Sequence, residues 1–338
     1  MWADYAVKSM SLIKMDIGVI GAGGWGTTLA NLMAEKGYKV ILWAFEKEVV
    51  EEINDKRENS KFLPEVKLSD NIEATNELKE AVLEKDIIIT AIPSSFLRNM
   101  AKEISKFIDK DTIIISVTKG LEDVTFKRMS EILKEETGNK VVALSGPNHA
   151  EEIVRKIPAA TVIASKDLDI LSKVKEVLET PYFKVYPHDD VEGIEICGAI
   201  KNITAIAVGI CDSLKLGDNA KASIITLGLT EMNNVGRFFG AKRATFYGLA
   251  GVGDLVATCT SEHSRNRFVG KQIAEGKSFD DIKKEMHGMV AEGIKTTKAI
   301  YDLAIKEKID LPLTTQVYKV LYEKKDLKKA IKDLITLI

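Results

Sequence analysis

One lysine stands alone in an otherwise apolar stretch of the sequence. Residues 196–210 read ICGAIKNITAIAVGI, and Lys201 is the only charged residue among them. A helix that is apolar on nearly every face is normally buried, and burial lowers a lysine pKa toward the range useful for proton transfer. Asn202 beside it could orient a substrate hydroxyl or carbonyl group. Composition alone leaves two alternatives open: a buried acid or base, and a lysine whose ammonium reaches water along the helix.

A second group of polar residues follows later in the chain. Asp254 precedes Thr258, and Ser264, Arg265 and Asn266 stand just ahead of a helical pattern. A hydroxyl, a forked guanidinium and an amide beside the free N–H groups of a helix start form a set that suits phosphate. Taken alone, however, the run favours a solvated helix start in which the serine is the N-cap, and the aspartate could equally be a turn residue.

A glycine-rich run near the N-terminus indicates a different chemistry. The run GAGGWG places Gly21, Gly23 and Gly26 in the spacing G-x-G-x-x-G, between an apolar strand candidate and a helical pattern. These glycines let a strand turn sharply into a helix, so that a pyrophosphate approaches the main chain and the helix N-terminus. Glu46 follows the second strand candidate, as expected of a dinucleotide site. Trp25 within the run could simply be a packing residue.

Two more segments directly follow strand candidates. Lys119 comes after the strand that ends at residue 117, and Gly146 comes after the strand that ends at residue 144. In an open parallel sheet this carboxyl edge is where ligands bind, although either segment could be an ordinary loop. His149, near a helix start, is more often a structural hydrogen-bonding residue than an acid.

The order of apolar segments predicts the fold class. Strand candidates at 17–20, 40–43, 87–92, 112–117 and 141–144, with weaker ones at 161–164 and 183–186, alternate with helical patterns such as 27–36 and 126–135. This alternation indicates an α/β, Rossmann-like, doubly wound parallel sheet. After residue 189 only helical patterns follow. We therefore predict an N-terminal extension at 1–14, a dinucleotide-binding domain at 15–189 and an all-helical substrate and catalytic domain at 190–338.

Composition restricts the class of protein further. The net charge of −2 over 338 residues gives no support for binding nucleic acid or an anionic membrane. The three cysteines have neither disulfide-like pairing nor, with the four histidines, metal-ligand spacing, so no metal is expected. Residues 1–14 have no long apolar run and are not expected to form a secretory signal, and no stretch is expected to be apolar for long enough to span a bilayer. These features predict a cytoplasmic protein.

Several separate motifs together resemble the NAD(P)-dependent glycerol-3-phosphate dehydrogenase family of bacterial type. They cover nearly the whole chain from residue 15 and occur in the family's order: GAGGWGTTLA at 21–30, SVTKGLE at 116–122, LSGPNHAEE at 144–152, EICGAIKNITAIAVGICD at 195–212, GLAGVGDLVATC at 248–259, SRNRFVG at 264–270 and VAEGIKT at 290–296. The resemblance implies interconversion of dihydroxyacetone phosphate and sn-glycerol 3-phosphate, supply of glycerol phosphate for phospholipids, and a homodimer.

The resemblance also implies a role for individual residues. Lys201 would be the catalytic acid or base. The substrate would contact Lys119, Gly146, Asn148, Lys201, Asn202, Asp254 and Thr258, and its phosphate would contact Ser264, Arg265 and Asn266. The glycine-rich run and the resemblance together predict a cofactor site made of Gly21, Gly23, Gly24, Trp25, Gly26, Phe45, Glu46, Phe96, Lys119, Ala150, Arg265, Val290 and Glu292.

Two positions depart from the family pattern. Asn148 stands where the family usually has Ser or Thr, and Phe45 stands where bacterial members often carry Arg. Without that cation, and with Glu46 able to accept a bond from a free 2′-hydroxyl and to repel a 2′-phosphate, we predict NAD or NADP as cofactor with a modest preference for NAD. Lys47 is close enough to counter this preference.

Two rival functions share part of this pattern. Another two-domain dehydrogenase, such as a 6-phosphogluconate-like enzyme, would share the overall plan, but the SRNR run and the Lys201-Asn202 pair argue against it. A redox-sensing regulator that binds NAD(H) would not need a buried lysine facing the cofactor.

Overall fold

The computed structural model describes residues 15–286 and 291–335. The predicted N-terminal extension at 1–14 and the predicted cofactor contact Val290 therefore lie outside the described residues.

The first part of the described chain is one eight-stranded sheet flanked by helices. The strands lie in the order β3-β2-β1-β4-β5-β6-β7-β8, which confirms the Rossmann-like class. The elements are β1 (Asp16–Ile20), α1 (Gly24–Glu35), β2 (Lys39–Trp43), α2 (Lys47–Lys56), β3 (Ile72–Thr75), α3 (Leu78–Val82), β4 (Ile87–Thr90), α4 (Ser94–Ile104), β5 (Ile113–Ser116), α5 (Met129–Thr137), β6 (Lys140–Ser145), α6 (Ala150–Ile153), β7 (Ala159–Ala164), α7 (Asp169–Leu178) and β8 (Phe183–His188).

The sheet differs from the prediction in two places. The edge strand β3 was missed, because it has only four residues, IEAT, and an exposed Glu73 interrupts its apolar pattern. The pair β6 and β7 is antiparallel, whereas the other neighbours are parallel. A parallel crossover usually contains a full helix, but the segment between these two strands holds only the four-residue α6.

The described chain after residue 190 is helical, as predicted. Its helices are α8 (Val191–Ser213), α9 (Asp218–Phe238), α10 (Asp254–Thr260), α11 (Arg265–Ala274), α12 (Phe279–Glu285), α13 (Glu292–Glu307), α14 (Pro312–Glu323) and α15 (Leu327–Ile335). A 3-10 helix (Arg243–Tyr247) and a π-helical turn (Leu249–Gly253) precede α10.

Helix α8 is the centre of this helical region. Asp190 fixes its start: the carboxylate accepts a bond from the Gly193 N–H at 3.0 Å and others from the Lys242 N–H and the Thr245 hydroxyl. The expectation that no stretch could span a bilayer was wrong by length and composition, because α8 is long and apolar enough to do so. Its most apolar window is, however, entirely buried within the protein, which makes α8 a core helix.

Two glycines bring α8 and α11 into backbone contact. A Cβ added to Gly209 would lie 2.0 Å from the Arg267 carbonyl oxygen, and one added to Gly270 would lie 2.0 Å from the Ile206 carbonyl oxygen. No side chain larger than hydrogen fits at either position. This contact holds the first two turns of α11 against the second half of α8.

Gly270→Ala should therefore lower the stability of the protein. Overpacking of a tight contact costs about 1–3 kcal/mol, and the neighbour here is backbone. Thermal unfolding would measure the loss. Gly253→Ala is the matched control, because Gly253 has helical dihedral angles (φ −58°, ψ −52°) and its added Cβ would meet nothing closer than 3.7 Å. Equal melting temperatures for the two variants would contradict the close-contact interpretation.

Candidate active site

A buried aspartate bridges two lysines where the sheet meets the helical region. The Nζ atom of Lys201, on α8, lies 2.5 Å from Asp254 Oδ1 and 2.7 Å from Thr258 Oγ1. The Nζ atom of Lys119, in the loop after β5, lies 2.7 Å from Asp254 Oδ2 and 3.0 Å from the Gly146 carbonyl oxygen. Lys201 is 7% exposed and Asp254 is 1% exposed. The structure therefore has the Lys201 ammonium buried rather than extended to water.

The cluster lowers the pKa of both Lys201 and Asp254, for different reasons. Burial is the largest influence on Lys201 and lowers its pKa; Asp254 acts against this effect, whereas the positive charge of Lys119 adds to it. Burial alone would raise the pKa of Asp254, but Lys119 and Lys201 together hold it below its ordinary value. The aspartate thus stays ionised, and the lysine loses its proton more readily than an exposed lysine does.

The π-helical turn before α10 aims Asp254 at the lysines. Gly251 in this turn packs against the Phe246 backbone, where an added Cβ would come within 2.1 Å of the Phe246 carbonyl oxygen. π-Helical turns occur frequently at functional sites because they displace the following residues relative to a regular helix. Asp254 and Thr258 are four residues apart on α10, so both face Lys201.

Hydrogen-bonded amides connect Asn202, the residue after Lys201, to Asn266, one of the predicted phosphate contacts. Asn266 donates its Nδ2–H to Asn202 Oδ1 at 3.0 Å, and its own Oδ1 accepts the Gly293 N–H at 2.9 Å. Asn202 and Asn266 are both buried. These hydrogen bonds join α8, α11 and α13 at the same place, so the structure brings Asn202 and Asn266 together.

The two arginines of the SRNR run have different environments. Ser264 is the N-cap of α11 and accepts the Arg267 N–H. Arg267 donates its Nε–H to Asp212 at 2.6 Å, which ties α11 to α8. Arg265, in the first turn of α11, is exposed and carries its charge near Glu292. Arg265 is therefore the arginine of the pair that is open to an anion.

The glycine-rich run forms the turn between β1 and α1. Gly21 has φ +114°, and an added Cβ would lie 2.5 Å from the Ala91 carbonyl oxygen. A Cβ on Gly26 would lie 1.9 Å from the Gly21 carbonyl oxygen, whereas one on Gly23 would meet nothing within 4 Å. The first and third glycines thus close the turn, and the middle one leaves space in front of α1.

This turn fits a dinucleotide. The N-cap of α1, Gly23, makes no side-chain capping bond, and the first turn contains no acidic residue. The free N–H groups and the positive end of the helix dipole thus face open space, which is what a pyrophosphate requires.

The other predicted cofactor residues lie around this turn in varied settings. Trp25 packs edge-to-face on Phe183, with ring centroids 6.3 Å apart, so it has at least the packing role considered above. Ala150 begins α6 and lies 3.8 Å from the position of a Cβ on Gly24. Phe45 is 81% exposed at the end of β2.

Three predicted side chains are occupied by protein partners. Asn148 donates to the Ala160 carbonyl at 3.2 Å and accepts the Thr161 hydroxyl at 2.9 Å, so its amide faces β7. The Glu292 carboxylate accepts the N–H and the hydroxyl of Ser94, at the start of α4. The Glu46 carboxylate lies 3.0 Å from Lys61 Nζ.

The segment after α2 was missed by the sequence reasoning. Asn59 is fully buried and donates its Nδ2–H to the Ala22 carbonyl at 2.8 Å and to the Thr27 hydroxyl at 2.9 Å. The Phe62 carbonyl closes over Gly24, at 2.9 Å from the position of an added Cβ. Asparagine is common in loops, and no spacing in the sequence distinguishes this one from an ordinary turn residue.

Phe96 lies beside the same seam between the sheet and the helical region. Its ring is 59% exposed, and Lys295 Nζ lies 5.9 Å from the ring centroid. The Phe96 ring on α4 thus lies close to Lys295 on α13.

Comparison with known proteins identifies a family. The family models described as the N-terminus and the C-terminus of NAD-dependent glycerol-3-phosphate dehydrogenase match residues 16–171 and 190–332. A glycerol-3-phosphate dehydrogenase (NAD(P)+) from Clostridium botulinum (strain Eklund 17B / Type B) is 45% identical over 319 residues, which cover 94% of this chain and 96% of the relative.

Solved structures agree with this assignment. The crystal structure of glycerol-3-phosphate dehydrogenase from Coxiella burnetii has a TM-score of 0.92 at 38% identity and covers 95% of this chain and 99% of that one. The Saccharomyces cerevisiae glycerol-3-phosphate dehydrogenase structure has a TM-score of 0.82 at 34% identity and covers 95% and 99%. These matches show that the chain belongs to the NAD-dependent glycerol-3-phosphate dehydrogenase family.

Proposed function

We propose that the protein interconverts dihydroxyacetone phosphate and sn-glycerol 3-phosphate, with NAD(H) or NADP(H) as the redox partner. The observation that carries this proposal is the buried Lys201, bonded to Asp254 and Thr258. When bound, the nicotinamide supplies or accepts the hydride at C2 of the substrate.

Lys201 exchanges the proton in this reaction. During reduction its ammonium gives a proton to the oxygen on C2, and during oxidation its neutral amine takes that proton back. Asp254 and Thr258 hold the Nζ atom in place, and Lys119 keeps the aspartate ionised. Asn202, one residue further along α8, orients the substrate oxygens. Burial of the cluster keeps bulk water from competing for the proton.

The phosphate of the substrate binds at the first turn of α11. Arg265 is exposed there, and Ser264 and Asn266 flank it with a hydroxyl and an amide. The positive end of the helix dipole favours the same dianion. Asn148 takes part through its position rather than through a free amide, because both ends of that amide are bonded to residues of β7, Ala160 and Thr161.

The wider role follows from this chemistry. Glycerol phosphate is the backbone of phospholipids, and we propose that the protein supplies it. Cys197, Cys211 and Cys259 are buried free thiols, which suits a reducing cytoplasm. We further propose a homodimer formed through the helical region, and a domain boundary at residue 189 that separates 15–189 from 190–338.

Lys201→Ala tests the acid–base role. Positioned proton transfer contributes roughly 100- to 10,000-fold to the rate, so kcat with dihydroxyacetone phosphate should fall by that order, while the affinity for NADH stays near normal. Steady-state kinetics and NADH titration measure the two quantities separately. Near-normal turnover in a folded variant would remove Lys201 from the mechanism.

The pH dependence tests the electrostatics of the cluster. Because the pKa of Lys201 is lowered, kcat/KM for reduction should fall as the pH rises through a value below the ordinary lysine range, and kcat/KM for oxidation should rise through the same value. Lys119→Gln removes a positive charge that lowers this pKa, so both pH profiles of kcat/KM should shift to higher pH. Unchanged pH profiles in Lys119→Gln would contradict the coupling between the two lysines.

Arg265→Ala tests the phosphate site. Loss of a charge-assisted hydrogen bond costs about 1.5–3 kcal/mol, so the KM for dihydroxyacetone phosphate should rise much more than that for unphosphorylated dihydroxyacetone. Arg267→Ala is the matched control. Because Arg267 is paired with Asp212, this change should lower the melting temperature but should not raise one KM more than the other. An equal effect of Arg265→Ala on both substrates would count against the assignment.

A further inference from the structure

The end of β2 contains a cation that the linear sequence does not place there. In this fold the residues after the second strand meet the adenosine ribose, and here they are Phe45 and Glu46. Lys61, from the loop between α2 and β3, lies with its Nζ atom 3.0 Å from Glu46 Oε1 and 3.9 Å from Glu48 Oε1. Fifteen positions separate Glu46 from Lys61, and the loop returns to bring them together.

The loop that carries Lys61 is anchored on the glycine turn. Asn59 binds the Ala22 carbonyl and the Thr27 hydroxyl, and its Oδ1 accepts the Phe62 N–H at 3.3 Å. Lys61 thus lies between two residues that are fixed against the pyrophosphate turn. Its side chain remains about one-third exposed, at 35%, so the ammonium can reach an additional ligand.

Glu46 is not otherwise committed. It is the N-cap of α2 but makes no side-chain capping bond, and its carboxylate is 27% exposed. A carboxylate paired with an ammonium presents little net charge to a third group. The repulsion that Glu46 would exert on a 2′-phosphate is therefore largely cancelled by Lys61, while its oxygens can still accept a 2′-hydroxyl.

We propose that Lys61 is a specificity-determining residue for the cofactor: its ammonium binds the 2′-phosphate of NADP(H), and its ion pair with Glu46 lets the same site accept the free 2′-hydroxyl of NAD(H). This inference rests on the proposed function for its reaction, but it concerns cofactor binding alone. Lys61 would thereby keep the predicted preference for NAD modest rather than strict.

The test compares dissociation constants for NADPH and NADH in the absence of substrate, measured by fluorescence titration. Lys61→Ala should weaken NADPH binding about tenfold, as expected for loss of a partly exposed charge-assisted bond, and should change NADH binding less than about twofold. Glu46→Gln should strengthen NADPH binding relative to NADH, because it removes the negative charge and frees Lys61.

Lys47→Ala is the matched control. Lys47 begins α2 beside Glu46, is exposed, and makes no ion pair within the described part of the chain. It should leave both dissociation constants unchanged. A selective loss of NADPH affinity in Lys47→Ala instead of Lys61→Ala, or an equal loss for both cofactors in Lys61→Ala, would overturn the proposal. Binding that follows the proposal in a protein that fails to turn over dihydroxyacetone phosphate would refute the proposed function alone.

Discussion

A carboxylate is ionised inside this protein because two ammonium groups surround it. Asp254 would be costly to bury as an isolated charge, but Lys119 and Lys201 each lie within 2.7 Å of one of its oxygens. The three charges sum to +1, so the cluster still presents a net positive charge to a substrate. Removal of either lysine would change the net charge of the cluster. The pKa of Lys201 therefore depends on Lys119, which comes from the other half of the chain.

The arrangement of helices follows from that requirement. Lys119 comes from the carboxyl edge of the sheet, Lys201 from the middle of α8, and Asp254 from the start of α10, so three elements must meet without gaps. Glycines make this possible. Gly198, one turn before Lys201 on α8, leaves space for the Lys119 side chain, since an added Cβ would lie 3.2 Å from Lys119 Cγ. Further along α8, Gly209 admits the backbone of α11.

Sequence reasoning identified the elements that carry a strong local signal. The glycine spacing predicted the turn before α1, and the isolated charge at Lys201 indicated a buried group as one of two alternatives. It did not find contacts that depend on the return of a loop, such as Asn59 on the glycine turn or Lys61 on Glu46, because neither residue type nor spacing reveals where a loop closes. The sequence also did not reveal that the amide of Asn148, a predicted substrate contact, is bonded to Ala160 and Thr161.

The π-helical turn at Leu249–Gly253 has a consequence for how this region can change in length. Each residue of an α-helix advances the direction of the side chains by about 100°. A one-residue deletion in the wide turn would restore regular helical geometry but would rotate Asp254 and Thr258 together away from Lys201. Surface loops of enzymes usually tolerate insertions and deletions. This short segment does not share that tolerance, because its number of residues sets the direction of Asp254 and Thr258.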